Sequence, residues 1–285
     1  MLGGALVRVL HQAGYENLLL FNQDELDLLD QHAMLNFYYE HRPDYVFDAT
    51  QKTYYRQTDP IRSGQDIYEQ LQLQINLIHG AWLARVKKLL LLADSSIYSV
   101  SDTMDLSSDS YAMAKLAGIK MCQAYRQQYE CHFISLAAAD FYGPNDIFEP
   151  VSPRILPSLI FRFHHAKMND LPVATIMGNS TIRHEYLHVN DLADACFFIM
   201  NNYDKSETIN VGSGEDLSIN ELAHLVKTLV GYDGKIDFDH TKPDTVPQKL
   251  LDISCLNDLG WHPRIHLADG IRQTYEWFLE NQKQK

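Results

Sequence analysis

An α/β fold built on a doubly wound parallel sheet is the architecture this sequence predicts, on three observations. Short apolar runs at Tyr45-Val46-Phe47-Asp48, Leu89-Leu90-Leu91-Leu92 and Cys131-His132-Phe133-Ile134-Ser135-Leu136 have the length and bounds of buried strands. Between them lie stretches with helical periodicity, such as Ile67, Leu71, Ile75, Ile78 and Trp82 over residues 66 to 82. This alternation points to parallel strands joined by helices. The third observation is Asp109-Ser110-Tyr111-Ala112-Met113-Ala114-Lys115, which sets a tyrosine and a lysine one helical turn apart just after the Leu89–Leu92 run.

From the N-terminus, Ala5 to Gly14 has one apolar face and a closing glycine, as a helix does. Gly3 and Gly4 before it read either as the tail of a glycine-rich, phosphate-binding turn or as an ordinary helix start. A strand is expected at Leu18-Leu19-Leu20-Phe21. In the strand order 3-2-1-4-5-6 of doubly wound sheets, the first strand lies between the second and the fourth. No run in this sequence supplies it, so the sheet is expected to lack its first strand.

Asn22 to Asp30 stands either where such folds read a ribose or as a solvated run capping a helix over 31 to 40. Gln23 brings no cation for a 2'-phosphate there. Ala49 opens a polar loop to residue 66, where a cofactor's inner phosphates would pass. The 66 to 82 stripe reads as core, or as a dimer interface shared with the Tyr111 helix over 111 to 127. Pro144, Pro150, Pro153 and Pro157 mark the departure from the first lobe. A helix is expected over Ile155 to Ala166, a strand then a capped helix from Arg183, and a strand from Ile209. The expected organisation is a lobe of residues 1–144, to which 183–212 returns, and a smaller α/β lobe over 145–285.

Composition narrows the partners. A 46% hydrophobic content suits a folded globular chain, and the formal charge of -13 argues against a polyanionic partner such as nucleic acid. Cys122, Cys131, Cys196 and Cys255 show no metal-ligand spacing and read as free thiols in a reducing compartment. With no secretory leader pattern and no apolar run of about 18 residues, a soluble cytoplasmic protein is expected, with no membrane partner.

The Tyr111–Lys115 pair carries the candidate chemistry. A phenol is a weak acid-base catalyst near neutrality, but an adjacent ammonium favours the phenolate and brings it into range. Taken alone, the same pair also fits a solvated helix start.

Many separated blocks resemble one family. Asp24-Glu25-Leu26, Ser110 to Lys120, Tyr142-Gly143-Pro144, Leu187-His188-Val189, Ile209-Asn210-Val211-Gly212 and Lys242-Pro243-Asp244 read like the GDP-L-fucose synthases, extended short-chain dehydrogenase/reductases. Lys249-Leu250-Leu251-Asp252, Leu259-Gly260-Trp261 and Tyr275 to Asn281 extend the likeness nearly end to end. The resemblance implies a Rossmann-like sheet, NADP as cofactor, a GDP-sugar as substrate, and a homodimer or a heteromer with an active homologue. It also implies epimerisation of GDP-4-keto-6-deoxymannose at C3 and C5 followed by reduction at C4.

By position, Tyr111 matches the family's proton donor and Lys115 its ribose partner. Asp94 stands for the catalytic serine, Ser96 for the epimerisation cysteine and Arg154 for the epimerisation histidine. Asp140 replaces an asparagine that contacts substrate, and Gln23 an arginine suited to the 2'-phosphate. Arg162 and Lys249 match basic residues near the diphosphate, while His184 replaces one, with Arg183 beside it.

Three of these departures bear on catalysis. An ionised Asp94 accepts but does not donate a hydrogen bond, and it repels a neighbouring phenolate. A serine titrates too high, and an arginine does not deprotonate, so Ser96 and Arg154 cannot exchange sugar protons unaided. Two readings therefore follow from the resemblance: an impaired epimerase/reductase, or an inactive homologue that binds a nucleotide sugar or pairs with an active copy.

Overall fold

The structure is a computed structural model that describes residues 1–21, 25–50, 63–98, 109–150, 154–239 and 250–282. Gln23 and Lys249, both expected to contact ligand, lie outside the described residues.

The chain opens directly with helix α1 (Leu2–Gln12), then α2 (Gln31–His41), strand β1 (Tyr45–Phe47), α3 (Ser63–Leu83) and β2 (Lys88–Asp94). There follow α4 (Asp109–Tyr129), β3 (His132–Ala138), β4 (Asp140–Tyr142), α5 (Ile155–Met168), β5 (Val173–Met177) and β6 (Arg183–His188). The chain continues with α6 (Val189–Asn202), β7 (Ile209–Val211), β8 (Asp216–Ser218), α7 (Ile219–Val230), β9 (Lys235–Asp239), α8 (Ser254–Asp258) and α9 (Leu267–Gln282). The described residues form no helix long and apolar enough to cross a membrane.

The main sheet is parallel, in the order β1-β2-β3-β7. It is doubly wound because β2 is apolar on both faces and its side chains alternate between them. Leu90 and Leu92 pack with Ile134 and Leu136 under α1 and α6, where Leu2, Leu6, Leu192 and Ile199 are buried. Leu89 and Leu91 pack with Phe133 on the opposite face, under α2, α3 and α4. A second core joins α5, α7 and α9 to the two-stranded β5-β9 sheet and to β6.

One expectation needs correction. Leu18–Phe21 forms no strand: Leu19, Leu20 and Phe21 are exposed, at 43%, 63% and 39%. A strand persists only where a neighbour takes its backbone hydrogen bonds, and the sheet ends at β1 without the intervening strand that would serve Leu18–Phe21. Of the two readings of Gly3 and Gly4, the helix start is realised, since both lie in the first turn of α1. Of the two readings of Asp30, capping is realised: its carboxylate accepts from the backbone N–H groups of His32 and Ala33 at the start of α2.

Residues 183–212 divide between layers. β7 and α6 belong with the main sheet, whereas β6 pairs with β4 and β8 in a separate three-stranded sheet. Ala138 ends β3 and Asp140 begins β4, so a single residue separates the two sheets. At this junction His188 caps α6, its Nδ1 accepting from the Asn190 N–H, while Nε2 is buried with no partner among the described residues.

Burial, with the Arg8 charge adding to it, depresses the His188 imidazole from 6.5 to about 4. The folded state therefore binds fewer protons than the unfolded chain between those values. The stability this group contributes is complete above pH 6.5 and falls by up to about 1.4 kcal/mol per unit as pH drops toward 4. Denaturant unfolding at pH 7.5 and 5 should show this loss, and His188→Asn, which still caps but does not titrate there, should show a shallower one.

Candidate functional site

Every strand of the main sheet runs in one direction, so their carboxyl ends open onto one edge, where doubly wound sheets bind ligands. Asp48 and Ala49 leave β1 there, Asp94 to Ser96 leave β2, and Gly212 leaves β7. Gly3 of α1 reaches the same edge, since a Cβ built on it would stand 3.9 Å from the Ala49 Cβ. Gly3 and Ala49, both expected at a cofactor, are thus neighbours.

Tyr111 and Lys115 occupy the first two turns of α4. The helix lies close against α3 because Gln74 donates to the Ala114 carbonyl at 2.7 Å and Gly118 leaves room for the Gln74 side chain. That depth carries Lys115 to the sheet. Its ammonium is 2% exposed, donates to the Leu92 carbonyl at 3.0 Å, and stands 3.7 Å from Asp48 Oδ2 and 5.9 Å from the Tyr111 ring centroid. Asp48 is itself buried, its Oδ1 accepting from the Thr50 N–H at 2.9 Å and from the Thr50 hydroxyl. Sequence reading passed over Asp48; the signal was an acid closing an apolar strand.

Asp94 caps the 3-10 turn Ser95–Tyr98, accepting from the Ser96 N–H at 2.9 Å. The Ser95 and Ser96 hydroxyls are buried with no hydrogen-bond partner among the described residues. Tyr98 at the end of the turn donates to the Asn210 side chain at 2.6 Å, tying the turn to β7.

Across the β3–β4 junction lies a second group of expected residues. Asp94 is in register with Ala138, two residues before Asp140. Asp140 Oδ2 stands 3.2 Å from His184 Nδ1, and His184 is 3% exposed. Beside them the Tyr186 hydroxyl is buried without a partner among the described residues, and burial, with Asp140 adding to it, drives its titration well above the usual tyrosine range. Arg154 precedes α5, stacks 4.9 Å over the Phe141 ring and pairs with Asp146 at 3.5 Å.

The other expected cations, Arg162 and Arg183, are held by protein acceptors. Arg162 donates to Ser158 at 3.2 Å, to the Thr175 carbonyl at 2.9 Å and to the Pro150 carbonyl, tying α5 to β5. Arg183 bridges Asp216 and Glu221 on the outer side of β6. Glu185, between His184 and Tyr186, is buried and accepts from the Gly214 and Leu251 N–H groups at 2.7 and 3.0 Å.

As donors, Tyr111 and Lys115 suit a ribose and a carbonyl oxygen. The first turn of α1 offers backbone N–H groups with no acidic side chain among them, which suits a phosphate. These residues therefore fit a dinucleotide, while the 2'-phosphate position at Gln23 lies outside the described residues.

Comparison with known proteins places the chain in a family. The NAD dependent epimerase/dehydratase family matches residues 1–212. GDP-L-fucose synthase 1 of Arabidopsis thaliana is 42% identical over 99% of this chain and 91% of its own length. GDP-L-fucose synthase of Escherichia coli (strain K12) is 37% identical, over 99% and 94%. Among solved structures, MlghC, a GDP-mannoheptose C4 reductase from Campylobacter jejuni with NADP bound, superposes with a TM-score of 0.85 at 33% identity, covering 98% of this chain and 95% of that one. Such identity, sustained across nearly the whole length of both enzymes and over the same doubly wound sheet, makes this chain a member of the NAD dependent epimerase/dehydratase family, of the GDP-L-fucose synthase kind.

Proposed function

We propose that the chain binds NADP and a GDP-linked 4-keto sugar at the carboxyl edge of the main sheet, with C4 reduction at Tyr111 as its retained chemistry. The observation that carries this is the placement of Tyr111 and Lys115 on successive turns of α4, with the lysine reaching the ends of β1 and β2. Relatives that act on GDP-sugars, and an NADP-bound GDP-sugar reductase of the same fold, support the ligand classes. NADPH, when bound, supplies hydride. The chain's own part is to hold the Tyr111 proton at the carbonyl oxygen and the Lys115 cation beside the phenol.

Activity is impaired in this reading, and the epimerisation half more than the reduction. Asp94 accepts the Ser96 N–H and presents a carboxylate where a donor to the sugar oxygen is needed. Arg154, paired to Asp146, cannot cycle a proton, and Ser96 offers only an alcohol. Asp140, His184, Arg162, Arg183 and Lys249 are assigned to the sugar nucleotide by resemblance; Arg162 and Arg183 would have to exchange internal acceptors for a diphosphate.

The second reading, an inactive nucleotide-sugar-binding homologue or a pairing subunit, draws on one fact: Asp94, Arg154 and Lys115 each have protein partners that hold the fold. A dimer through α3 and α4 fits either reading, since Tyr68, Ile75 and Tyr129 on those helices are exposed at 60%, 41% and 40%. Cytoplasmic localisation completes the proposal.

Incubation with GDP-4-keto-6-deoxymannose and NADPH should give slow loss of nicotinamide absorbance, abolished by Tyr111→Phe; no turnover in the native chain supports the second reading. Asp94→Ser should raise turnover by about 10² to 10³-fold, the usual worth of one donor at a developing oxyanion. Adding Ser96→Cys and Arg154→His should restore exchange of the C3 and C5 protons with solvent deuterium, read by NMR. Unchanged rates in these variants would show that the departures are not what limits the enzyme.

A further inference from the structure

We propose that Asp48 is a positioning residue that keeps the Lys115 side chain cationic and fixed against the end of β2, and thereby sets the proton affinity of Tyr111. This rests on the reading of Tyr111 and Lys115 as the reducing pair.

Lys115 is 2% exposed, among the most buried large side chains of the protein. An ammonium this buried, with only a backbone carbonyl for company, is costly to keep charged. Without a counter-charge, nothing would hold that cation in place beside Tyr111. Asp48 supplies the opposing charge at 3.7 Å. Its own position is fixed by Thr50 on one oxygen and by the N–H of Asp48 bonding to the Leu90 carbonyl at 2.9 Å. The second oxygen, Oδ2, makes no hydrogen bond among the described residues, so its buried charge is balanced through Lys115.

The surroundings of the pair bear this out. Tyr38 on α2 and Cys122 on α4 both face Asp48, and both are raised by burial with the Asp48 charge adding to it. Neither is a cation; among the described residues, Lys115 is the cation paired with Asp48. An ammonium has three N–H donors. Leu92 and Asp48 account for two directions, which orients the lysine and leaves the third for a ligand hydroxyl or the Tyr111 side. The cation so held stands 5.9 Å from the Tyr111 ring centroid.

Measurements on the full chain test this without relying on turnover. The tyrosinate absorbance of Tyr111 is isolated as the difference between each protein and the same protein carrying Tyr111→Phe. Asp48→Asn should move the alkaline midpoint of Tyr111 up by about one pH unit or more. An unchanged or lower midpoint overturns the proposal. Lys115→Met and Asp48→Leu should each lower the melting temperature, and the double variant should recover most of the loss, because both buried charges are gone. If Asp48→Asn does not fold, the double variant replaces it, and a native Tyr111 midpoint there overturns the proposal too. NADPH binding, read by nicotinamide fluorescence, should weaken about tenfold in Asp48→Asn. Failure of the native chain to bind NADPH would remove the cofactor reading, while the midpoint and melting comparisons still decide the role of Asp48.

Discussion

The burial of one ammonium constrains much of this structure. Lys115 is placed where water does not reach it, and a charge there persists only with a hydrogen-bond acceptor and a counter-charge in reach. Leu92 supplies the acceptor from the end of β2, and Asp48 the counter-charge from the end of β1. Both are available because β1 and β2 run parallel in register, Phe47 opposite Leu90, so that Asp48 leaves β1 alongside the Leu90–Leu92 stretch of β2. The depth of α4 is set by a different contact, the Gln74 amide on the Ala114 carbonyl beside Gly118, where any side chain would collide with Gln74. Local helix pairing, strand register and a buried charge pair are therefore parts of one arrangement.

A second theme is that residues standing at expected catalytic positions also have structural duties. Asp94 caps the turn that carries Ser96, and Arg154 joins Phe141 and Asp146 at the junction between the two sheets. Burial raises the Asp146 carboxyl, and the Arg154 charge opposes that rise. Such side chains are not idle remnants. Replacing them alters the fold as well as the chemistry, so a gain of activity on restoring a donor is the informative direction of change.

The sheet junction also explains how two cores meet at one site. β3 ends at Ala138 in the main sheet and β4 begins at Asp140 in the other, so Asp94, in register with Ala138, and Asp140 lie within a few positions of each other. His188 closes this junction as the α6 cap, buried against Tyr142 at 5.4 Å between ring centroids. Its neutral state is maintained by the same lack of water that makes the Lys115 pair necessary.

Much of the architecture was legible in the sequence. Leu89–Leu92 announced a strand buried on both faces, the 67-to-82 stripe a long helix, and Tyr111 with Lys115 one face of another, because period and apolarity are local properties of a chain. Leu18–Phe21 misled for the same reason: apolar composition was locally right for a strand, but hydrogen-bond pairing is a property of neighbours, and β1 ends the sheet. The sequence by itself determined which residue types stand at positions 94, 96 and 154, an acid, an alcohol and an arginine. Only the tertiary structure decided that Asp48 meets Lys115 and that Arg162 turns to Thr175 and Pro150, because charge pairing across 67 residues and the desolvation that makes it matter exist only once the helices close over the sheet.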